Sequence, residues 1–310
     1  MIDPYHSGER AIQEMTGERD QAIVNGRIIA GALPPRAGVF LEQQQMCALG
    51  WRSPAGDVWA SMLAGRQGFA RAKDDGATLA LRLDDDAKTL SSSPPFAALK
   101  IGDPLGVLFF DPSTRRRLRI NGRVADLHDR SLAIAIDQAY PNCPKYIQQR
   151  TLALAASGDK IGPREIETGD ALSPALRSWI GTADTFFVAS AHPDGGVDCS
   201  HRGGAPGFVR LDGDELRIPD YPGNSMFNTL GNFRLNPHAG LAFVDFAANR
   251  QLKLTGRVSL DLEAGKVGGD ARDTGGTGRW WTFRPTKWIV APLNLPMRWD
   301  FVEASPFNPV

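Results

Sequence analysis

Short apolar runs broken by turn residues dominate the chain. Phe186–Ala191 (FFVASA) is apolar and aromatic and stops at Pro193-Asp194-Gly195-Gly196, which reads as a strand running into a turn. The strand signal resumes at Val197–His201. Gly207–Leu211 and Glu215–Ile218 flank Asp212-Gly213, a strong hairpin signal. Gly240–Phe246 is nearly all apolar, and Gln251–Leu260 alternates through Leu252, Leu254, Val258 and Leu260. That pairing predicts an antiparallel meander. Helical signals are fewer. Ser173 is a natural N-cap with Pro174 at the first helical position. Asn224–Asn236 reads as a helix ended by Asn236-Pro237. Near the start, Ser7-Gly8-Glu9 caps a short helix that carries Ala11, Ile12 and Met15 and ends at Gly17.

The strand pattern occurs twice. Pro54–Arg71 and Pro193–Arg210 align without a gap at an offset of 139, with 8 identities in 18 positions. Gly106–Val124 and Gly240–Val258 align at an offset of 134, with 8 identities in 19. Leu33, Pro35, Phe40 and Leu41 fall opposite Leu172, Pro174, Trp179 and Ile180. The drop from 139 to 134 places five extra residues in the first copy, in the polar stretch Asp84–Phe96, where a loop grows at little entropic cost. A period this long is a tandem domain, not a solenoid. The division expected is a helical extension over 1–32, a first copy over 33–150 and a second over 151–310.

Composition narrows the function. With 35 basic and 35 acidic residues the net charge is zero, so nothing suggests nucleic acid as a partner. Cys47, Cys143 and Cys199 are the only cysteines, a sparse odd count that suits reduced thiols in a cytoplasmic protein. No apolar run reaches the ~18 residues of a membrane span, and no secretory leader is visible. With 33 Gly and 22 Pro, a turn-rich, mainly β protein with short helices is expected.

The second copy resembles the pyridoxamine 5'-phosphate oxidase-like FMN-binding split barrels. The residues that carry the likeness are Ser200–Leu211 (SHRGGAPGFVRL), Leu216–Phe246 and Leu252–Val258 (LKLTGRV). Tyr140–Arg150 (YPNCPKYIQQR), Tyr5–Gly17 and Trp59–Phe69 are similar to longer two-copy members. The resemblance implies two tandem split β-barrels forming an intramolecular pseudo-dimer, with a flavin between the barrels. It implies FMN as cofactor and a small-molecule substrate, with a homodimer possible in addition. Two readings follow: an FMN-dependent oxidoreductase, or a non-catalytic flavin- or haem-binding module or ligand-free scaffold.

The cofactor-binding residues so implied are Ser200, His201, Arg202, Gly207, Tyr221, Asn224, Ser225, Asn228 and Asn232. Arg202 is the natural phosphate partner, because its planar fork matches phosphate oxygens; its counterpart in the first copy is Leu63. Gly203, Gly204 and Gly207 allow close backbone approach to a ring, or mark a bulge or barrel corner. Asn224, Ser225, Asn228 and Asn232 surround a helix start, where backbone N–H groups favour phosphate or simply need caps. The oxidases of this family carry Ser-Arg-Lys here; this chain has Gly223-Asn224-Ser225-Met226. Cys199 and His201 make an incomplete metal pair, and Cys143 is either a nucleophile or a buried structural thiol. Arg115-Arg116-Arg117 reads as a solvated charge run. Trp280, Trp281, Trp288 and Trp299 read as packing residues, with one of them a candidate to stack on a flavin.

Overall fold

The computed structural model describes residues 3–83, 95–154, 165–262, 271–293 and 297–309. Of the inserted loop expected in the first copy at Asp84–Phe96, residues 84–94 lie outside the described residues, and Phe96 is buried in the first core. Seven strands build the first sheet: β1 (Met46–Arg52), β2 (Val58–Ala64), β3 (Ala70–Lys73), β4 (Thr78–Arg82), β5 (Pro104–Asp111), β6 (Arg116–His128) and β7 (Ser131–Asn142). A two-stranded ribbon pairs β8 (Gln149–Leu154) with β17 (Met297–Glu303). The second sheet contains β9 (Glu167–Gly169), β10 (Thr185–Ala191), β11 (Val197–Gly203), β12 (Arg210–Asp212), β13 (Glu215–Pro219), β14 (His238–Asp245), β15 (Arg250–Asp261) and β16 (Trp280–Pro292). The helices are α1 (Ser7–Met15), α2 (Arg19–Gly26), α3 (Pro35–Gln43), α4 (Pro174–Thr182) and α5 (Asn228–Leu235).

The two sheets have one topology. The first runs β2-β1-β5-β6-β7-β4-β3 and the second β11-β10-β14-β15-β16-β13-β12, with β9 added beside β16. Registers agree as well: Gly50 pairs Gly106 in the first sheet, and Ala189 pairs Gly240 in the second. These are the positions related by the 139 and 134 offsets. The chain is therefore two tandem split barrels.

Each barrel has its own core. Leu49, Trp51, Val107, Phe109 and Ile134 fill the first; Phe186, Val188, Leu241, Phe243 and Trp281 fill the second. Alternate residues of the same strands form a third apolar cluster between the barrels. It joins Ala48, Ala60, Met62, Leu108 and Phe110 to Phe187, Ala189, Cys199, Ala242 and Val244. Both faces of β1, β5, β10 and β14 are thus buried, which explains the nearly continuous apolar runs in their sequences.

Two glycines permit this contact. A Cβ on Gly240 would lie 2.4 Å from the Trp59 backbone, and one on Gly106 would lie 2.6 Å from the Val197 carbonyl. The contacts are reciprocal, since Val197 corresponds to Val58 and Gly240 to Gly106. Gly50 meets Ala189, its own counterpart, at 2.9 Å from Cβ to Cβ. The pseudo-two-fold axis runs through that pair, as self-complementary interfaces require.

Local structure differs from expectation at two places. The helix expected over Asn224–Asn236 begins only at Asn228, because Ser225 (φ 60°) and Phe227 (φ 59°) are left-handed. The first helix is capped by His6, not Ser7: its ring accepts from the backbone N–H of Gly8 and Glu9, while the Glu9 carboxylate accepts from His6 N at 2.8 Å. Gly17 (φ 71°) follows this helix as expected.

Candidate functional site

A cleft opens at one edge of the inter-barrel cluster, enclosing about 120 Å³. The first copy contributes Leu108, Arg117 and Arg119 from β5 and β6, and Asn142, Cys143, Lys145 and Tyr146 from the end of β7 and the chain after it. The second contributes Ser200–Gly203 from β11 and most of the segment Asp220–Leu230.

Of the expected residues, the structure brings Ser200, His201, Arg202, Tyr221, Asn224, Ser225 and Asn228 to the cleft. Gly207 sits in an exposed left-handed turn outside its lining (φ 91°). Asn232 lies behind the lining, donating to Ser190 Oγ and Asp198 Oδ2. None of the four tryptophans lines the cleft; Trp280 and Trp281 are core residues. The solvated charge run needs correction. Arg116 is exposed, but Arg117 and Arg119 point inward, as alternation along β6 dictates. Cys143 is half-buried in the cleft wall rather than enclosed in a core.

Arg119 is the centre of a buried polar network. Its Nη1 donates to Tyr140 Oη (3.1 Å), Asp198 Oδ1 (3.1 Å) and Asn228 Oδ1 (2.9 Å), and its Nη2 donates to Ser200 Oγ. Asn121 and Asn232 donate to the two Asp198 oxygens. Asn228 also donates to Glu9, so the network reaches α1. Burial, with Asp198 nearby, pushes the Glu9 carboxyl up to about 8.

Arg117 is placed differently. Among the described residues no carboxylate lies within ion-pair distance of it. Its Nη2 donates to the carbonyls of Cys143 and Lys145, and its Nη1 lies 3.2 Å from His201 Nδ1. Burial, with Arg119 and Arg202 nearby, pulls the guanidinium down to about 9. His201 is held well below its ordinary value by burial and by the cations of Arg117, Arg202 and Arg150. A neutral His201 accepts from Arg117 at Nδ1, so its proton is on Nε2. Its ring stacks on Phe110 at 4.8 Å.

Three buried donors of cleft residues have no acceptor: Arg117 Nε, Arg119 Nε and His201 Nε2. Buried polar atoms are nearly always paired, and exceptions point to a function or a ligand. Backbone strain gathers here too. Of the six non-glycine residues with positive φ among those described, Tyr146, Ser225 and Phe227 line the cleft. The N-terminal helices hold the strained loop: Gln13 donates to Met226 O (3.1 Å), Ser225 donates to Glu18 (2.7 Å), and Asn25 donates to Asn224 O (2.7 Å).

The pseudo-symmetric position is closed. Arg117 and Arg119 correspond to Gln251 and Lys253, and Ser200-His201-Arg202 to Ser61-Met62-Leu63. Gln251 Oε1 accepts from Met62 N (2.8 Å) and Ser61 Oγ (3.2 Å), and its Nε2 donates to Met62 O (3.2 Å). Lys253 is buried, which brings its ammonium down to about 7. The first-copy arginines were legible only by laying the copies over each other at offset 134. The alignment sets charged residues at alternate positions of a strand whose other face is core.

The fold and cleft define a tandem split-barrel protein with a cation-lined pocket between its barrels. Residues 172–269, within the second copy, match the family model for pyridoxamine 5'-phosphate oxidase. No curated protein matches the chain. Solved structures similar to it include HupZ of Group A Streptococcus, 14% identical, covering 37% of this chain and 89% of that one, TM-score 0.29. An F420 reductase is 18% identical over 38% of this chain and 98% of its own, TM-score 0.28. HutZ, a haem storage protein from Vibrio cholerae, is 13% identical over 37% and 89%, TM-score 0.26.

Proposed function

We propose that the inter-barrel cleft binds the phosphate end of FMN and that the chain is an FMN-dependent oxidoreductase acting on a small-molecule substrate. The supporting observation is the set of buried donors without acceptors, supplied by both copies. An anion is the kind of ligand that would satisfy such donors, and the cations that line the cleft suit a phosphate dianion. Arg117 and Arg202 offer guanidinium forks and Lys145 an ammonium. At about 30 Å³ per water, the roughly 120 Å³ of the cleft suits a phosphoryl group with part of its chain. The basic pair missing at Gly223-Asn224-Ser225-Met226 is replaced on this reading by Arg117 and Lys145 from the other copy. Residues 33–150 and 151–310 are then the two units, with 1–32 bracing the cleft.

When bound, FMN supplies hydride and electron transfer at its ring. The protein's residues bind, orient and exclude water. Tyr146 and Tyr221, with ring centroids 5.0 Å apart, and Phe227 provide apolar faces beside the anion pocket. His201 is neutral, and its Nδ1 is engaged by Arg117, so it does not act as a base. That same observation favours a second reading, a module that holds flavin without turnover. A role for His201 as a haem ligand fits poorly with a ring 4% exposed and stacked on Phe110.

Titration of the full chain with FMN tests this. The expected result is a yellow complex absorbing near ~450 nm, with Arg202→Ala weakening binding by about 1.5–3 kcal/mol. A protein that takes up no FMN refutes the proposal. Turnover of bound flavin with a nicotinamide reductant and oxygen separates the oxidoreductase from the holding module.

A further inference from the structure

Asp220 faces two arginines unequally. Its Oδ2 accepts from Arg279 Nε at 2.9 Å, whereas its Oδ1 stands 3.9 Å from Arg202 Nη2. Arg279 and Asp220 are both 7% exposed. Arg279 Nη1 also donates to Glu18 Oε1 at 2.9 Å, and Glu18 Oε2 accepts from Ser225 Oγ at 2.7 Å. The Arg279 guanidinium lies over the Phe227 ring, 5.1 Å from its centroid. Arg279 itself does not line the cleft. From outside, it touches the carboxylate that opposes Arg202 and one left-handed residue of the loop, and through Glu18 it reaches the other.

One carboxylate between two guanidiniums neutralises neither fully. Here the hydrogen bond goes to Arg279 and only a long ion pair to Arg202, so Arg202 keeps most of its charge for the cleft. Coulomb attraction rises steeply at short range in a poorly solvated site. Without Arg279, Asp220 is free to close on Arg202, and Glu18 loses its cation.

We propose that Arg279 is a positioning residue: by drawing Asp220 away from Arg202, and by holding Glu18 against Ser225, it sets the affinity of the cleft for a phosphate-bearing ligand. This rests on the cleft being an anion site but not on the ligand being a flavin. It follows that Asp220→Asn strengthens anion binding, while Arg279→Met weakens it. In the Asp220→Asn background, Arg279→Met has a smaller further effect, because the route through Asp220 is gone and only the one through Glu18 and Ser225 remains.

The test is calorimetric titration of the full chain with inorganic phosphate, and in parallel with FMN, at fixed ionic strength. The expected changes in phosphate affinity are about three- to tenfold in each single variant, with opposite signs, and under about twofold for Arg279→Met on top of Asp220→Asn. If Arg279→Met fails to fold, Arg279→Lys, which keeps the charge but not the planar fork, takes its place in both backgrounds: phosphate binding weakened in the Asp220 chain but not in the Asp220→Asn chain supports the proposal, and unchanged binding in both overturns it. An unchanged or lowered phosphate affinity in Asp220→Asn overturns the proposal, as does a wild-type chain that binds no phosphate. Phosphate binding with the expected signs but no FMN binding sinks the flavin reading and leaves this one standing.

Discussion

Replacing Arg119 by Met is the sharpest test of how the two barrels are joined. The substitution keeps the unbranched apolar stem and removes four hydrogen bonds, to Tyr140, Asp198, Asn228 and Ser200. Three of those partners belong to the other copy. Asp198, 8% exposed, then keeps only the amides of Asn121 and Asn232. Removing one member of a buried ion pair leaves an uncompensated charge, typically at a cost of about 3–5 kcal/mol. That is a large fraction of an ordinary stability of about 5–15 kcal/mol. Urea unfolding followed by circular dichroism and tryptophan fluorescence measures the loss. Adding Asp198→Asn removes the stranded charge, so the double variant should recover part of the loss, with a coupling of at least about 1 kcal/mol. A loss under about 1 kcal/mol, or strict additivity of the two substitutions, would refute the network as the polar tie between barrels.

Three further outcomes are expected. Glu9 is raised from 4.5 to about 8 by burial, so between those values the folded chain keeps a proton that the unfolded chain has lost. Stability therefore falls as pH rises through this window, by up to about 1.4 kcal/mol per pH unit. In Glu9→Gln that slope should flatten when urea midpoints at pH 6 and pH 8 are compared; an unchanged slope contradicts the assignment. Gly240→Ala would drive a Cβ to within 2.4 Å of the Trp59 backbone, so a loss of about 3 kcal/mol or more in thermal unfolding is expected; a neutral variant would mean the barrels do not meet there. Gln251→Ala strands Met62 N and should cost about 1–3 kcal/mol in the same assay, while leaving phosphate binding at the open cleft unchanged.

Much of the fold was legible because it is written twice. The offsets of 139 and 134 identified the strands that occupy equal places in the two sheets, and the paired glycines Gly106 and Gly240 lie inside the aligned blocks. The site was legible by halves. Ser200, His201 and Arg202 stand out as a polar run at the end of the strand after the turn, and the structure puts them in the cleft wall. Arg117 and Arg119 were hidden because their neighbours in sequence say nothing of the second barrel. A charged strand reads as solvated until its outer face is known to be covered. The left-handed residues Ser225 and Phe227 were equally hidden. Neither is a residue type that announces positive φ; the N-terminal helices, remote in sequence, impose it through Gln13, Glu18 and Asn25. The expected helix therefore starts four residues late, and the gap is the loop that lines the cleft. Gly207, a glycine rich in conformational freedom, forms an exposed left-handed turn beyond the cleft lining.

The central claim is that one cleft per chain, completed by an arginine from the first copy, holds an anionic cofactor. The stoichiometry of FMN binding in wild type and Arg117→Ala measures it most directly. The account predicts one FMN per chain in the wild type and a loss of at least about tenfold in affinity, near 1.4 kcal/mol, in the variant. Two FMN per chain would contradict the closed counterpart at Gln251 and Lys253. An unchanged affinity in Arg117→Ala would contradict the shared cleft itself.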